Sequence, residues 1–121
     1  MERVFINHTN HPSSAWTSNQ LRAAETFGKV MDIPFPDIDP EWDEEKVISL
    51  AQENCKIIIE LQPAAVLCQG EFTYCHTLIC LLKADGIKVL AACSKRETKE
   101  WEENGKNIKK TIFNFVRFRA Y

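Results

Sequence analysis

Short apolar runs without alternation of polar and apolar residues most constrain the fold of this chain. Residues 64–68 and 87–93 are apolar at nearly every position, which is typical of strands buried on both faces. Residues 3–7 and 30–33 are predicted as two further strands, the second ended by Pro34 because proline supplies no ladder N–H group. Strands of this kind occur in parallel sheets that helices cover on both faces.

Helical patterns separate these runs. Residues 17–27 open with a capping-box pattern, in which the hydroxyl of Thr17 is predicted to accept the backbone N–H near Gln20. Residues 43–61 carry acids in their first turn, where these complement the helix dipole, and residues 71–84 form a third predicted helix. The order of elements up to this point therefore alternates strand and helix.

The C-terminal quarter of the chain breaks this alternation. After Ser94 the chain is polar through residue 110, with Asn104 and Gly105 as a hairpin signal, and residues 111–118 are predicted to return as a fifth strand. Right-handed crossovers fold the order βαβαβαββ into a three-layer, Rossmann-like α/β domain that spans residues 1–121. Its open sheet is expected to be mainly parallel, with an antiparallel C-terminal edge strand.

Charge is low overall but unevenly distributed. The formal net charge is −2, so the molecule is not a general polyanion binder and duplex nucleic acid is not an expected partner. Residues 32–53 hold eight acids against Lys46 alone, whereas residues 104–121 hold five bases and no acid. One acidic and one basic region are therefore expected on the surface.

Cysteine use and hydropathy predict a cytoplasmic protein. The N-terminal residues contain no apolar segment typical of a signal peptide, and no apolar run approaches the ~20 residues that a membrane helix needs. The five cysteines are odd in number and lie mostly in apolar segments, which favours reduced, buried thiols over disulfides. No membrane partner is expected.

The ends of the predicted strands carry polar residues that the core does not need. Open parallel sheets bind ligands outside the carboxyl ends of their strands where the strand order reverses, which a 2-1-3-4 order places between the first and third strands. His8 is predicted as the catalytic residue there. The residues predicted to bind the ligand are Asn7, Thr9, Gln69, Gly70, Glu71, Thr73, Ser94, Lys95 and Arg96.

These side chains suit an anion, and phosphate above all. Gly70 allows a tight turn into a helix whose first N–H groups would face the ligand, and Lys95 and Arg96 would add positive charge. The segment around Gly70 is neither a Walker loop nor a GxGxxG fingerprint, so nucleoside triphosphates and dinucleotides are not specifically indicated. Alternatively, Gly70 only caps a turn.

Two histidines at a spacing of three follow the first strand. His8 at the strand end suits proton transfer, because an imidazole titrates near neutral pH. His11 is expected to bond to the backbone rather than to bind zinc, since no CxxC or HExxH motif accompanies it. We expect neither a metal nor a cofactor.

The first 20 residues resemble small, Rossmann-like accessory proteins of type III CRISPR systems that handle cyclic oligoadenylate messengers. The matching positions are Asn7 and His8 after the strand, Pro12, and the early helical Gln20; Thr9 to His11 are an insertion relative to that pattern. The resemblance implies a homodimer in antiviral defence, with the cyclic oligonucleotide on the two-fold axis.

The resemblance also implies metal-independent ring-nuclease chemistry, in which a ribose 2′-hydroxyl attacks its own phosphodiester and His8 transfers the proton. Some such proteins bind the messenger without cutting it. Two other classes of function stay open. One is a nucleoside-processing hydrolase or glycosyltransferase with Glu71 as its catalytic carboxylate; the other is a non-catalytic interaction domain whose basic final strand pairs with a partner.

Overall fold

A computed structural model describes residues 3–121, which form one five-stranded sheet with helices on both faces. The strands are β1 (Val4–His8), β2 (Lys29–Asp32), β3 (Ala65–Cys68), β4 (Val89–Glu103) and β5 (Lys106–Ala120). The helices are α1 (Ser18–Glu25), α2 (Glu44–Glu60) and α3 (Phe72–Ala84), with a 3-10 turn at Ser13–Ala15. The strand order is β2-β1-β3-β4-β5, parallel except that β5 runs antiparallel to β4, which confirms the predicted fold class.

The two faces of the sheet carry separate apolar cores. Successive residues of a strand point to opposite faces, so Ile6 and Val66 pack in the larger core against α2 and α3. Their neighbours Phe5 and Leu67 pack in the smaller core against α1. This alternation decides which polar residue at each strand end faces which helical layer.

Side-chain caps begin two of the three helices. The Asp43 carboxylate accepts the N–H of Lys46 at 3.0 Å at the start of α2, and the Glu71 carboxylate accepts the N–H of Tyr74 at 2.8 Å at the start of α3. Both satisfy N–H groups that have no partner within the helix. The acids predicted near these helix starts therefore serve as caps.

The predicted Thr17 cap is wrong. The hydroxyl of Thr17 donates to the side-chain oxygen of Asn19, and that same oxygen accepts the N–H of Gln20 at 3.0 Å. The amide oxygen of Asn19 is close enough to both groups to serve as their acceptor. The hydroxyl therefore acts as a donor, and Thr17 makes no side-chain capping bond to α1.

β4 and β5 continue well past the parallel strands. β4 pairs with β3 through Val89 and Leu90, whereas its ladder with β5 runs from Leu90 to Glu103. We name residues 94–115, a two-stranded ribbon beyond the sheet, the arm. Its turn is Asn104-Gly105, both at positive φ (51° and 76°), as a tight hairpin requires. The polar stretch through residue 110, which was not predicted as strand, is strand on both sides of this turn, because an exposed ribbon needs no apolar pattern.

The remaining sequence expectations concern thiols and membranes. All five cysteines are free; three are buried, and the sulfurs of Cys68 and Cys75 lie 3.8 Å apart. Within residues 3–121, no helix is both long and apolar enough to cross a membrane.

Candidate functional site

A cleft of about 480 Å³ lies on the α1 face at the carboxyl ends of β1 and β3 and beside Ala92 and Ser94 of β4. Leu67 and Ala92 form its apolar floor. Strand alternation then places Thr9, Gln69 and Ser94 at its polar end, each on the same face of its strand as the smaller core. The cleft thus opens between β1 and β3, where the strand order reverses, as predicted.

The walls of the cleft come from the segment before α1 and from the arm. Trp16 forms one wall and packs edge-on against Phe5, with ring centroids 6.3 Å apart. Phe113 and Phe115 form the other wall. The side-chain amide of Asn19 donates to the carbonyl oxygen of Phe115 at 3.1 Å and ties the two walls together.

The cleft is aromatic and polar but almost uncharged. Among residues 3–121, no Lys, Arg, Asp or Glu side chain lines it, and His11 is its one titratable group. The other polar lining residues are Thr9, Asn10, Thr17, Gln20, Gln69 and Ser94. Flat rings beside amides and hydroxyls suit a heterocyclic base better than an isolated phosphate.

The structure brings together four of the nine predicted ligand-binding residues. Thr9, Gln69, Gly70 and Ser94 line the cleft, whereas the other five lie beneath it, beside it or further along the arm. Those five are Asn7, Glu71, Thr73, Lys95 and Arg96.

Asn7 lies beneath the loop that follows β1 and is 2% exposed. Its amide group donates to the carbonyl oxygen of His11 at 2.9 Å and to the Asp32 carboxylate at 3.1 Å. Its oxygen accepts the Thr9 hydroxyl at 2.9 Å. All these partners belong to the protein, so Asn7 shapes the loop that carries Thr9 and His11.

The two basic residues predicted to bind the ligand, Lys95 and Arg96, point in opposite directions. Arg96 pairs with Phe113 across the ladder and shares its face, which is the cleft face, whereas Lys95 pairs with Asn114 on the other. Arg96 lies two residues beyond Ser94, about 7 Å along the strand. Of the two predicted cations, Arg96 alone is positioned to approach a ligand that extends out of the cleft.

The ring of Phe35 packs directly on Gly70 in the turn before α3. A Cβ atom on Gly70 would lie 2.3 Å from the ring of Phe35, so glycine is needed for that contact. The Glu71 carboxylate accepts the Thr73 hydroxyl at 2.6 Å and the Tyr74 N–H, and these bonds lower the pKa of its carboxyl group. The helix start predicted to hold a phosphate is therefore already capped by the chain's own anion.

His8 is fully buried on the opposite face from the cleft, against α2 and α3. Its Nδ1 lies 2.9 Å from the carbonyl oxygen of Ile33, which can only accept, so Nδ1 carries the proton. Its Nε2 then accepts the Tyr74 hydroxyl at 2.7 Å, and Asn54 donates to the Tyr74 oxygen at 2.8 Å.

Burial lowers the pKa of His8, against a smaller opposing effect of the bond to Ile33. The ring is therefore held neutral, and both of its nitrogens are occupied within the protein. A proton-transfer group has to come within hydrogen-bond reach of its substrate. This geometry gives the predicted catalytic role of His8 no support.

Three aromatic residues of the cleft were not predicted as site residues. Phe113 and Phe115 lie two positions apart on one face of β5, a spacing that signals a shared strand face. Trp16 lies just before α1, in a position that the sequence also allows for a side chain covering the core edge. The sequence does not show that β5 packs beside α1, and this contact is what brings the three rings into one cleft.

Comparison with known proteins identifies a family. The model described as the Uncharacterized protein MJ1673 family matches residues 3–119, so the chain belongs to this family. No curated protein and no solved structure matches the chain. The matched span includes every residue that lines the cleft.

Proposed function

We propose that this member of the MJ1673 family binds a cyclic oligoadenylate, with one of its nucleotides in the cleft between α1 and the arm. The proposal depends on one observation: aromatic walls and neutral amides lie together in the cleft between β1 and β3, where the strand order reverses. A base stacked on an aromatic side chain contributes about 1–3 kcal/mol to binding. Trp16 and Phe113 offer such surfaces from opposite sides.

The amides of the cleft favour adenine. Asn and Gln side chains recognise adenine through its N6 amino group and neighbouring ring nitrogen. The oxygen of Gln69 already accepts the N–H of Ala92 at 2.9 Å, which leaves its amino group to donate to the ligand. Gln20 supplies a second amide.

The phosphates of the ligand are expected at the outer end of the cleft. Arg96 lies on that face of the arm, and Ser94 offers a hydroxyl donor. No carboxylate among the described residues lines the cleft, so an anion meets no opposing charge there. His11 can add a further hydrogen bond.

The size of the cleft argues for a shared ligand. About 480 Å³ is suited to a drug-sized molecule, which corresponds to a single nucleotide rather than a ring of several. A whole ring therefore requires clefts from two copies, in line with the homodimer that the resemblance implies. The free thiols are consistent with action in the cytosol.

The proposal is binding, as in sequestration of an antiviral messenger, and assigns no cleavage step to His8. His11 is the imidazole that faces the cleft, so any turnover is expected to depend on it. The hydrolase alternative needs Glu71 next to a substrate; this carboxylate caps α3 outside the cleft and lines a separate groove between the starts of α2 and α3.

The test is incubation of the protein with cyclic tri-, tetra- and hexa-adenylate, with and without EDTA, followed by thermal denaturation and chromatography. We expect one ring size to raise the melting temperature and to be recovered intact. Trp16→Ala should abolish the shift, whereas Ile57→Ala, at an exposed apolar position of α2 outside the cleft, should retain it. A melting temperature unchanged by every ring would refute the proposal.

Chromatography also separates binding from cleavage. Linear products that disappear with His11→Ala would make the protein a nuclease with a different proton-transfer residue from the predicted one. Products that persist in His11→Ala but vanish in a folded His8→Gln variant would restore the predicted role of His8. Products lost in EDTA would indicate a metal-dependent reaction.

A further inference from the structure

The arm exposes an apolar and basic face on the side opposite the cleft. Trp101 pairs with Ile108 across the ladder, and Ile112 lies on the same face; Trp101 is 41% exposed. We name this the outer face. A two-stranded ribbon is only marginally stable by itself in water, so an apolar face on it favours a partner.

The outer face carries more basic than acidic side chains, Lys95, Lys99, Lys106 and Lys110 against Glu97 and Glu103. Lys99 lies directly opposite Lys110, and like charges in this position destabilise a ladder. The one ion pair found among residues 3–121, Lys109 with Glu100, lies on the cleft face instead. The outer face therefore favours contact with an acidic surface.

Such a surface exists elsewhere in the same chain. A groove of about 750 Å³ lies between the starts of α2 and α3, on the face of the sheet away from the cleft. Trp42, Ile48 and Phe72 give it an apolar lining, and Phe72 is 88% exposed. Asp39 and Glu44 are among the carboxylates at its rim; residues 37–46 hold six acids and one base, Lys46, whose Nζ lies 4.5 Å from the centroid of the Trp42 ring. We name it the acidic groove.

We propose that the outer face of the arm of one copy docks in the acidic groove of a second copy, and reciprocally. Trp101 and Ile108 would cover the apolar lining, while Lys99 and Lys110 would face the carboxylates of the rim. Arm and groove both lie at the carboxyl edge of the sheet, so two copies meeting edge to edge about a two-fold axis make both contacts at once.

This inference rests on the homodimer within the proposed function but not on the ligand. Charge complementarity selects the second copy as the occupant, because the basic face and the acidic groove belong to the same chain. The contact would also bring the clefts of both copies to the same edge-to-edge junction.

The test is sedimentation equilibrium without any nucleotide. The arm variant is Lys99→Glu with Lys110→Glu, and the groove variant is Asp39→Lys with Glu44→Lys. The control, Lys29→Glu with Lys56→Glu, changes charge as much as the arm variant at two exposed body residues. Wild type and control should be dimers, and each of the other variants should raise the dimer dissociation constant at least about a hundredfold.

The most discriminating sample is an equimolar mixture of the arm variant and the groove variant. In the mixed dimer the acidic arm meets the basic groove and the basic arm meets the acidic groove, so both contacts again join opposite charges. Native mass spectrometry should therefore find a dimer containing one of each. Trp101→Ala changes no charge and, as a single substitution in the wild-type chain, should also raise the dimer dissociation constant.

Four results would overturn the proposal. They are a monomeric wild type at about 100 µM, an arm variant that dimerises like wild type, a mixture that stays monomeric although both variants are folded by circular dichroism, and an unaffected dimer in Trp101→Ala. No ligand is present in any sample. A failed dimer test therefore leaves the nucleotide test standing, and a failed nucleotide test leaves the dimer intact.

Discussion

The two faces of the sheet both carry polar residues at its carboxyl edge, but they use them in opposite ways. On the α2 and α3 face, His8, Tyr74 and Asn54 bond to one another in a closed network. On the α1 face, Thr9 and Gln69 line an open cleft. A polar residue at a strand end therefore indicates a binding site only once its face is known.

The closed face behaves as part of the core. Within residues 3–121, no buried polar side-chain atom lacks a hydrogen-bond partner, so the network is satisfied without a ligand. The open face leaves groups such as the Gln69 amino group and the Ser94 hydroxyl to water or to a bound molecule. Substitutions on the closed face should therefore change stability, and those on the open face should change binding.

The largest expected difference lies between His8, at the end of β1, and His11, in the loop that follows. His8→Ala should lower the free energy of unfolding by about 3 kcal/mol, because it leaves a cavity and removes a partner from Tyr74 and from the Ile33 carbonyl group. His11→Ala should change it by less than about 0.5 kcal/mol, since that side chain is exposed. Urea denaturation of both variants measures the difference, and equal effects would contradict the distinction.

Gly70 lies between the two regions and comes next in expected effect. Gly70→Ala should cost about 2 kcal/mol, because the new methyl group would overlap the ring of Phe35, which packs on His8 and Tyr74. The same substitution in a Phe35→Leu background should cost clearly less, because a smaller side chain leaves room. Identical costs in the two backgrounds, measured by urea denaturation, would show that the ring is not the obstacle.

The pH dependence of stability sharpens the contrast further. Burial lowers the pKa of His8 from 6.5, so the unfolded chain takes up a proton that the folded protein resists. The stabilisation that comes from keeping His8 neutral is fully present above pH 6.5. It is lost as the pH falls towards the lower pKa of the folded state, and the free energy of unfolding then falls by at most about 1.4 kcal/mol per pH unit. Urea titrations at pH 7.5 and 5.5 should show the loss. His8→Gln should remove this pH dependence and His11→Gln should keep it. If His11→Gln removed it instead, the pH dependence would come from the histidine of the cleft and not from His8.

The smallest expected effect on stability comes from the open face. Phe113 is 66% exposed, so Phe113→Ala should change the free energy of unfolding by less than about 0.5 kcal/mol. The same variant should weaken binding of the cyclic oligoadenylate about tenfold, through loss of stacking. Val116→Ala, at an exposed position of β5 outside the cleft lining, is the matched control for isothermal titration calorimetry. Equal affinities in the two variants would remove Phe113 from the site.

The sequence predicts the fold well because burial leaves a pattern. Residues 64–68 and 87–93 could only be strands covered on both faces, and the order of elements then determined where β1 and β3 would open. The start of α2 was also predictable, because Asp43 caps the helix through a bond to that helix alone and needs no distant contact.

The composition of the site was harder to predict, because both faces of this sheet are covered. Alternation separates His8 from Thr9, but no local pattern tells which helical layer leaves room for a cleft. The direction of Lys95 and Arg96 depended on the arm, whose polar ribbon has no periodic burial to read. The aromatic wall at Phe113 and Phe115 required a contact with α1, almost a hundred residues away in sequence.

The short ladder of β4 with β3 and its long ladder with β5 also predict that different parts of the sheet open at different rates. Its ladder with β5 joins neighbours in sequence through a tight turn, whereas β1 is held between β2 and β3 only after helical crossovers have formed. Local contacts form and break faster than distant ones. Amide hydrogens at the tip of the arm should exchange with solvent through brief local opening, while those of β1 and β3 should wait for the whole domain to unfold.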